Sequence, residues 1–347
     1  MKKCVAVLTG PDTYLDHLAP VSHFMEMPLL VTEEQTYESA LRFYPFVNIV
    51  KKDLSELSID FFCDNFDVIF ESGKFWAAEL KPLFSLFRKK EIRFVFCPHG
   101  NSDKGHSLKK HVPQDVSLFY GSHMFDLLQK TGALSYIDSP VRTGNYRLLF
   151  YKKFKSFYDE LSQKLIKNGL NPYKKTVLYA PTWQDGENPS SFFTATTLLI
   201  DRLKEKFNLI IKIHPFLEEF HPANTYKIVS AYENTEGVLF LKNYPAIYSL
   251  LDLCDLYIGD YSSIGYDFLA FDKPLYFLPG SKGGISALHG CGMILENLEK
   301  ASSFIETTLE DNLRDKRARR KEVYDYAFGE EKDLLELKEE IYETLSR

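Results

Sequence analysis

Several large classes of protein are excluded by what this chain lacks. Only five of its 347 residues are cysteines. Cys4, Cys63, Cys97, Cys254 and Cys291 are odd in number, far apart and form no Cys-x-x-Cys pair. A disulfide framework and a zinc ribbon are therefore not expected, and reduced thiols in a cytoplasm fit better. No run of 18 apolar residues occurs, so no membrane-spanning helix is expected. The opening MKKCVAVLTG has two lysines but too short an apolar run for a secretory signal. Positive charge is not in excess, since 42 Lys and Arg face 48 Asp and Glu. The net charge of −6 argues against a nucleic-acid partner. Any anion site must then be local. There is no Asp-x-Asp pair, no short repeat and no low-complexity tract. No metal and no cofactor is expected.

What the chain has in quantity is apolar and aromatic material, including 28 Phe and 21 Tyr. At this length two packed cores are expected rather than one. Short apolar runs alternate with helical patterns: CVAVLTG (4–10), PLLVT (28–32), VNIV (47–50), DVIFES (67–72), RFVFC (93–97) and SLFYG (117–121). The second half repeats the scheme with KTVLYA (175–180), NLIIKI (208–213), GVLFL (237–241), DLYIG (255–259) and PLYFL (274–278). Near-continuous apolar runs suit strands buried on both faces, and their alternation with helices predicts parallel sheets. The fold class is α/β, with two doubly wound parallel-sheet domains facing across a cleft in a GT-B-like architecture, and a helical tail over 296–347. The expected boundaries are a first domain over 1–150, a basic linker or helix over 151–174 and a second domain over 175–347.

Four polar segments fall at predicted strand ends, where ligands collect in doubly wound sheets. The first is FCPHGNSDKGH (96–106), where Gly100 after His99 permits a tight turn and the imidazole suits a general base near neutral pH. An ordinary loop histidine fits these residues equally well. The second is YAPTWQDGENPSS (179–191), a loop marked by Pro181, Gly186 and Pro189, in which the Thr182 hydroxyl could donate to a phosphate oxygen. Trp183 would stack on a ligand or fill a gap. The third is IIKIHPF (210–216), where Pro215 stops the strand and leaves His214 at its end. The fourth is YIGDYSSIGYDF (257–268), where Ser262 or Ser263 can cap a helix whose first amides attract anions. Asp260 would orient backbone amides there or accept from a sugar or polyol hydroxyl. A capped helix that binds nothing is the bland alternative.

In this order the four segments resemble the CDP-glycerol glycerophosphotransferase family, which includes teichoic-acid primases and polymerases. The resemblance is carried by Cys97-Pro98-His99-Gly100, Tyr179-Ala180-Pro181-Thr182-Trp183, Lys212-Ile213-His214-Pro215 and Asp260-Tyr261-Ser262-Ser263 with Asp267-Phe268. GNYR at 144–147 is similar to the Gly-x-x-Arg that ends the family's first domain. The family implies a GT-B fold and attack of an acceptor hydroxyl on the β-phosphorus of CDP-glycerol, with loss of CMP. It implies His99 as the base, His214 beside the pyrophosphate, and Thr182, Ser262, Ser263, Gly100 and Lys212 around the phosphates, with Asp260 in the same donor group. The chain departs from the family at Pro98, at Asn101-Ser102, at Gln184-Asp185 and over 280–295, which bears on the substrate more than on the fold. A CDP-ribitol or another CDP-linked alcohol is an alternative donor. So are a nucleotide-sugar glycosyltransferase, an epimerase-like enzyme and a non-catalytic nucleotide-binding protein as alternative functions.

The family acts on lipid-linked acceptors at the cytoplasmic face of the membrane, and a lipid-linked or glycan acceptor is implied here. From Arg142 to Lys175 nine Lys or Arg stand against two acids. Phe150, Phe154, Phe157, Tyr158, Leu161 and Leu165 recur at helical spacing. A basic amphipathic helix of this kind can lie on an anionic bilayer, with Arg147, Lys152, Lys153 and Lys155 as contacts. The other reading is a helix whose apolar side packs inside the protein.

Overall fold

The computed structural model describes residues 2–72, 76–101, 103, 114–183, 190–260, 262–279 and 286–347. Gly186, Pro189, Gln184-Asp185 and Tyr261, singled out in the sequence, lie outside them, as do Ser102 and residues 280–285. The chain forms two compact units: Met1–Phe150 with Tyr326–Arg347, and Tyr151–Asp325.

The first unit is built on seven strands: β1 (Cys4–Leu8), β2 (Leu29–Val31), β3 (Ile49–Lys51), β4 (Val68–Glu71), β5 (Arg93–Phe96), β6 (Val116–Phe119) and β7 (Ser139–Arg142). They are ordered β3-β2-β1-β4-β5-β6-β7, every pair parallel. Order reverses at β1 and β4, the switch point of a doubly wound sheet. The central strands are buried on both faces, as their unbroken apolar runs require. Six of the seven strands were legible. β7 was missed because Ser-Pro-Val-Arg carries a proline, which a ladder tolerates only at an edge, and β7 is that edge.

The second unit holds β8 (Lys175–Ala180), β9 (Phe207–Lys212), β10 (Val238–Leu241), β11 (Leu256–Gly259), β12 (Leu275–Phe277) and β13 (Met293–Ile294). Their order is β10-β9-β8-β11-β12-β13, again all parallel. One core joins Val177, Tyr179, Leu209, Ile211, Leu256 and Ile258 of the sheet to the helix Phe192–Leu203. Asn208, at 1% exposure, clamps the chain entering β8: its amide donates to the carbonyls of Asn171 (2.8 Å) and Lys174 (3.2 Å) and accepts from Asn171 N (2.9 Å).

Two expectations need correction. The helical tail does not belong wholly to the second domain, because Tyr326–Arg347 packs with the first unit. Its last helix, Leu334–Ser346, is capped by Asp333, which accepts from Leu335 N (2.7 Å) and Glu336 N (3.2 Å). Leu337, Ile341 and Leu345 form an i, i+4, i+8 stripe, all fully buried, and each such side chain contributes roughly 2 kcal/mol. Gly121 and Gly144 admit the returning backbone: a Cβ on Gly121 would lie 2.7 Å from Ala327 O, and one on Gly144 2.9 Å from Glu330 O.

The basic segment is two helices, Tyr146–Lys153 and Lys155–Lys167, and its apolar side is used internally. Phe150 packs on His23 and Tyr44 of the first unit (ring centroids 5.4 and 6.0 Å). In the second unit Tyr158 and Leu161 are buried and Ser162 donates to Ser249 O at 3.1 Å. Arg147 is not a surface contact at all. At 2% exposure it is ion-paired with Asp16 at 2.6 Å, because an unpaired buried guanidinium would be far too costly. Lys155 is exposed but held by Asp159 (2.6 Å) and Asp252 (2.9 Å). Lys152 and Lys153 are exposed.

Candidate active-site residues in each unit

In the first unit, β5 delivers His99 three residues past its end. Gly100 follows with φ 115°, a conformation that disfavours any side chain. His99 is half-buried, with the ring of Tyr14 edge-on at 5.8 Å and that of His17 edge-on at 6.5 Å. Tyr14 and His17 come from the turn and helix that follow β1, so a neighbouring strand end supplies the flanks. His17 is buried, and burial first, then the Arg147 and His99 charges, drive its pKa well below the ordinary value. It is neutral at pH 7. Neither Tyr14 nor His17 was singled out in the sequence. Their i, i+3 spacing just after a strand end was the available signal.

In the second unit, β8, β9 and β11 end side by side and carry the other segments. Asp260, directly after β11, is 5% exposed. Both its oxygens accept from Thr182 N (3.0 and 3.1 Å), and one also accepts from Ser191 Oγ at 2.7 Å. Asp260 thus holds the backbone amide of Thr182. Ser190 Oγ donates to Thr182 O at 2.6 Å, so Thr182 is tied at both ends of its peptide unit. The Ser191 hydroxyl also lies 2.9 Å from Tyr179 Oη, whose pKa burial and the Asp260 charge raise. Ser190 and Ser191 stood in the quoted loop without a role. Ser191 is tied to Asp260 and Ser190 to Thr182.

Trp183 lies beside His214 (ring centroids 6.3 Å) and edge-on to Phe216 at 5.0 Å. His214 caps the helix Pro215–Phe220, its Nδ1 accepting from Phe216 N at 3.2 Å. A neutral imidazole accepting at Nδ1 carries its hydrogen on Nε2. His214 is therefore a hydrogen-bond donor through Nε2, suited to a phosphate oxygen. Lys212, last in β9, is 7% exposed. Ser262 is the N-cap of Ser263–Phe268, accepting from Ile264 N at 3.4 Å, and Ser263 is the first helical residue. A Cβ on Gly259 would meet Tyr257 Oη at 1.9 Å, so any side chain there must displace the Tyr257 ring. Among the described residues no cluster of three or more His, Cys, Asp or Glu could hold a metal. No helix among them is long and apolar enough to cross a membrane.

Two all-parallel, doubly wound units define the GT-B class. The wall teichoic acid polymerase TagF superposes with TM-score 0.67 at 15% identity, covering 99% of this chain and 89% of that one. The UDP-GlcNAc 2-epimerase of Neisseria meningitidis gives 0.62 at 14% identity over 99% of each chain. At such identities only the fold is shared. Residues 148–279, which include Thr182, His214, Asp260, Ser262 and Ser263, match the model of CDP-glycerol:poly(glycerophosphate) glycerophosphotransferases. Over this segment the chain is similar to the CDP-glycerol glycerophosphotransferase family. It is 35% identical over 123 residues to the teichoic acid glycerol-phosphate primase of Bacillus subtilis (strain 168), covering 35% of this chain and 30% of the primase. It is 28% identical over 151 residues to the teichoic acid poly(ribitol-phosphate) polymerase of Bacillus spizizenii, covering 41% of this chain and 22% of that enzyme. These matches thus span less than a third of either relative.

Proposed function

We propose that the protein transfers glycerol phosphate, or a similar polyol phosphate, from a CDP-linked donor to an acceptor hydroxyl and releases CMP, in the synthesis of a cell-envelope polymer. The observation that carries this reading is the knot of Asp260, Thr182 and Ser191 at adjacent strand ends beside His214, within the segment that matches the family. The acceptor oxygen forms the new bond to the β-phosphorus and the bond from that phosphorus to the CMP oxygen breaks. His99 takes the acceptor's proton. His214 through Nε2–H, with Thr182, Lys212, Ser262, Ser263 and the backbone at Gly100, carries the charge on the phosphates. Positioned donors of this kind stabilise the transition state without a covalent intermediate. The acceptor is a lipid-linked or glycan hydroxyl. Exposed Lys152 and Lys153 would meet an anionic membrane surface at the cytoplasmic face.

CMP release and thermal shift with CDP-glycerol, CDP-ribitol, UDP-N-acetylglucosamine and CMP test the reading. Cytidine-selective shifts and CMP release are expected; selective stabilisation by the uridine nucleotide would assign a nucleotide-sugar enzyme instead. His99→Ala should lower kcat by about 100- to 10,000-fold with donor affinity nearly unchanged, since a base acts only in the transition state. A collapse of affinity would make His99 a binding residue. Changing Lys152 and Lys153 to Glu should reduce sedimentation with anionic liposomes; equal sedimentation would remove the membrane contact.

A further inference from the structure

We infer that His17 and Tyr120 form a positioning relay for His99, with His17 locked as the neutral tautomer that bears its hydrogen on Nδ1. The inference rests on His99 being the general base. His17 Nδ1 lies 3.1 Å from Tyr120 Oη, and Tyr120 Oη donates to Pro98 O at 3.3 Å. The Pro98 carbonyl belongs to the peptide bond that leads into His99. A carbonyl only accepts, and a phenol has one hydrogen. When that hydrogen lies on Pro98 O, Tyr120 Oη accepts from His17, which places the His17 hydrogen on Nδ1 and leaves Nε2 bare; this is the arrangement we assign, against the reverse one in which Tyr120 donates to Nδ1.

The relay is held from every side within the first unit. Tyr120 is fully buried, stacked on Tyr146 at 5.7 Å, met edge-on by Phe328 at 5.5 Å and covered by the Arg147 guanidinium at 5.1 Å. Tyr146 Oη donates to His17 O at 3.2 Å. Arg147 is neutralised by Asp16, which also accepts from Tyr44 Oη at 3.2 Å. The bonded chain therefore fixes the peptide before His99, while the His17 ring lies edge-on to the His99 ring. Neutrality matters because a charged His17 at that separation would oppose proton uptake by His99. His17 and Tyr120 act through His99 and need touch neither substrate nor donor.

Long-range proton–nitrogen NMR of the full chain tests the tautomer directly, since there are only nine histidines. The resonance lost in His17→Phe should show a protonated Nδ1 and a bare Nε2 at neutral pH; the opposite tautomer overturns the relay whatever the enzyme's activity. Kinetically, Tyr120→Phe should lower kcat roughly 10- to 100-fold, the cost of a small misplacement, with donor KM and CMP affinity unchanged. His17→Asn keeps a donor at the Nδ1 position and should retain most activity, whereas His17→Phe should fall as far as Tyr120→Phe. Full kcat in Tyr120→Phe, or equal losses in the two His17 variants, would refute the positioning role. If instead His99→Ala turned over normally, the base assignment would fail and the tautomer measurement would still judge the hydrogen-bond chain.

Discussion

Removing the Asp260 carboxylate should loosen the second unit locally and measurably. In Asp260→Ala the buried Thr182 amide and the Ser191 hydroxyl lose an ionised acceptor at 2.7–3.1 Å. Hydrogen bonds to a charged group contribute about 1.5–3 kcal/mol each, and a buried donor left without a partner costs about 1–3 kcal/mol. Relief from burying the carboxylate offsets part of this. A net loss of roughly 2–4 kcal/mol is expected. Asp260→Asn should cost only about 1 kcal/mol. Its carbonyl can still accept from Thr182 N, its amide can donate to Ser191 Oγ, and the Ser191 hydrogen can turn to Tyr179 Oη at 2.9 Å. The assay is built into the sequence, which has two tryptophans, Trp76 in the first unit and Trp183 in the second. In a Trp76→Phe background, urea unfolding followed by Trp183 fluorescence reports the second unit alone. An unchanged midpoint for Asp260→Ala, or equal damage from Asn and Ala, would refute the reasoning.

Glu71 ends β4 at 2% exposure, and burial pushes its carboxyl up to about 7, against the pull of Gln114 (Nε2 to Oε1, 2.5 Å) and the amides of Trp76 and Ala77. Because the folded state holds the proton more tightly than the unfolded, stability of the first unit should fall as pH rises from the unfolded value through about 7. The upper limit is roughly 3 kcal/mol, and Glu71→Gln, followed by Trp76 fluorescence in a Trp183→Phe background, should flatten that slope; an unaltered slope would locate the titration elsewhere. Gly259→Ala forces a Cβ into the Tyr257 phenol and should destabilise the second unit by about 1–3 kcal/mol in the same urea assay used for Asp260. A neutral result would mean the Tyr257 ring can yield.

Among the described residues, eleven of the thirteen strands could be read from apolar runs, because a strand buried on both faces leaves an unbroken signature. The two that escaped, β7 and β13, are edges: one carries Pro140, the other is two residues long. The strand-end polar residues were legible for the same reason, since turns and prolines punctuate the runs. What was not legible was which of them spend their polar atoms on one another. Asp260 and Ser191 stand 69 residues apart, and no spacing rule joins them. Arg147 belonged by its neighbours to a basic surface, yet Asp16, 131 residues earlier, draws it inside. Phe150, Tyr158 and Leu161 had the period of a membrane-facing helix, and periodicity alone cannot say what an apolar side meets.

The return of Tyr326–Arg347 to the first unit sets an order of assembly. The stretch Tyr151–Asp325 is contiguous and can close its sheet as soon as it has left the ribosome. Its older neighbour is finished later, for Leu337, Ile341 and Leu345 take their buried places only once the helix Leu334–Ser346 has been made. The half synthesised first would be the half completed last, and a nascent chain stalled near Asp325 would pair a finished domain with an open one.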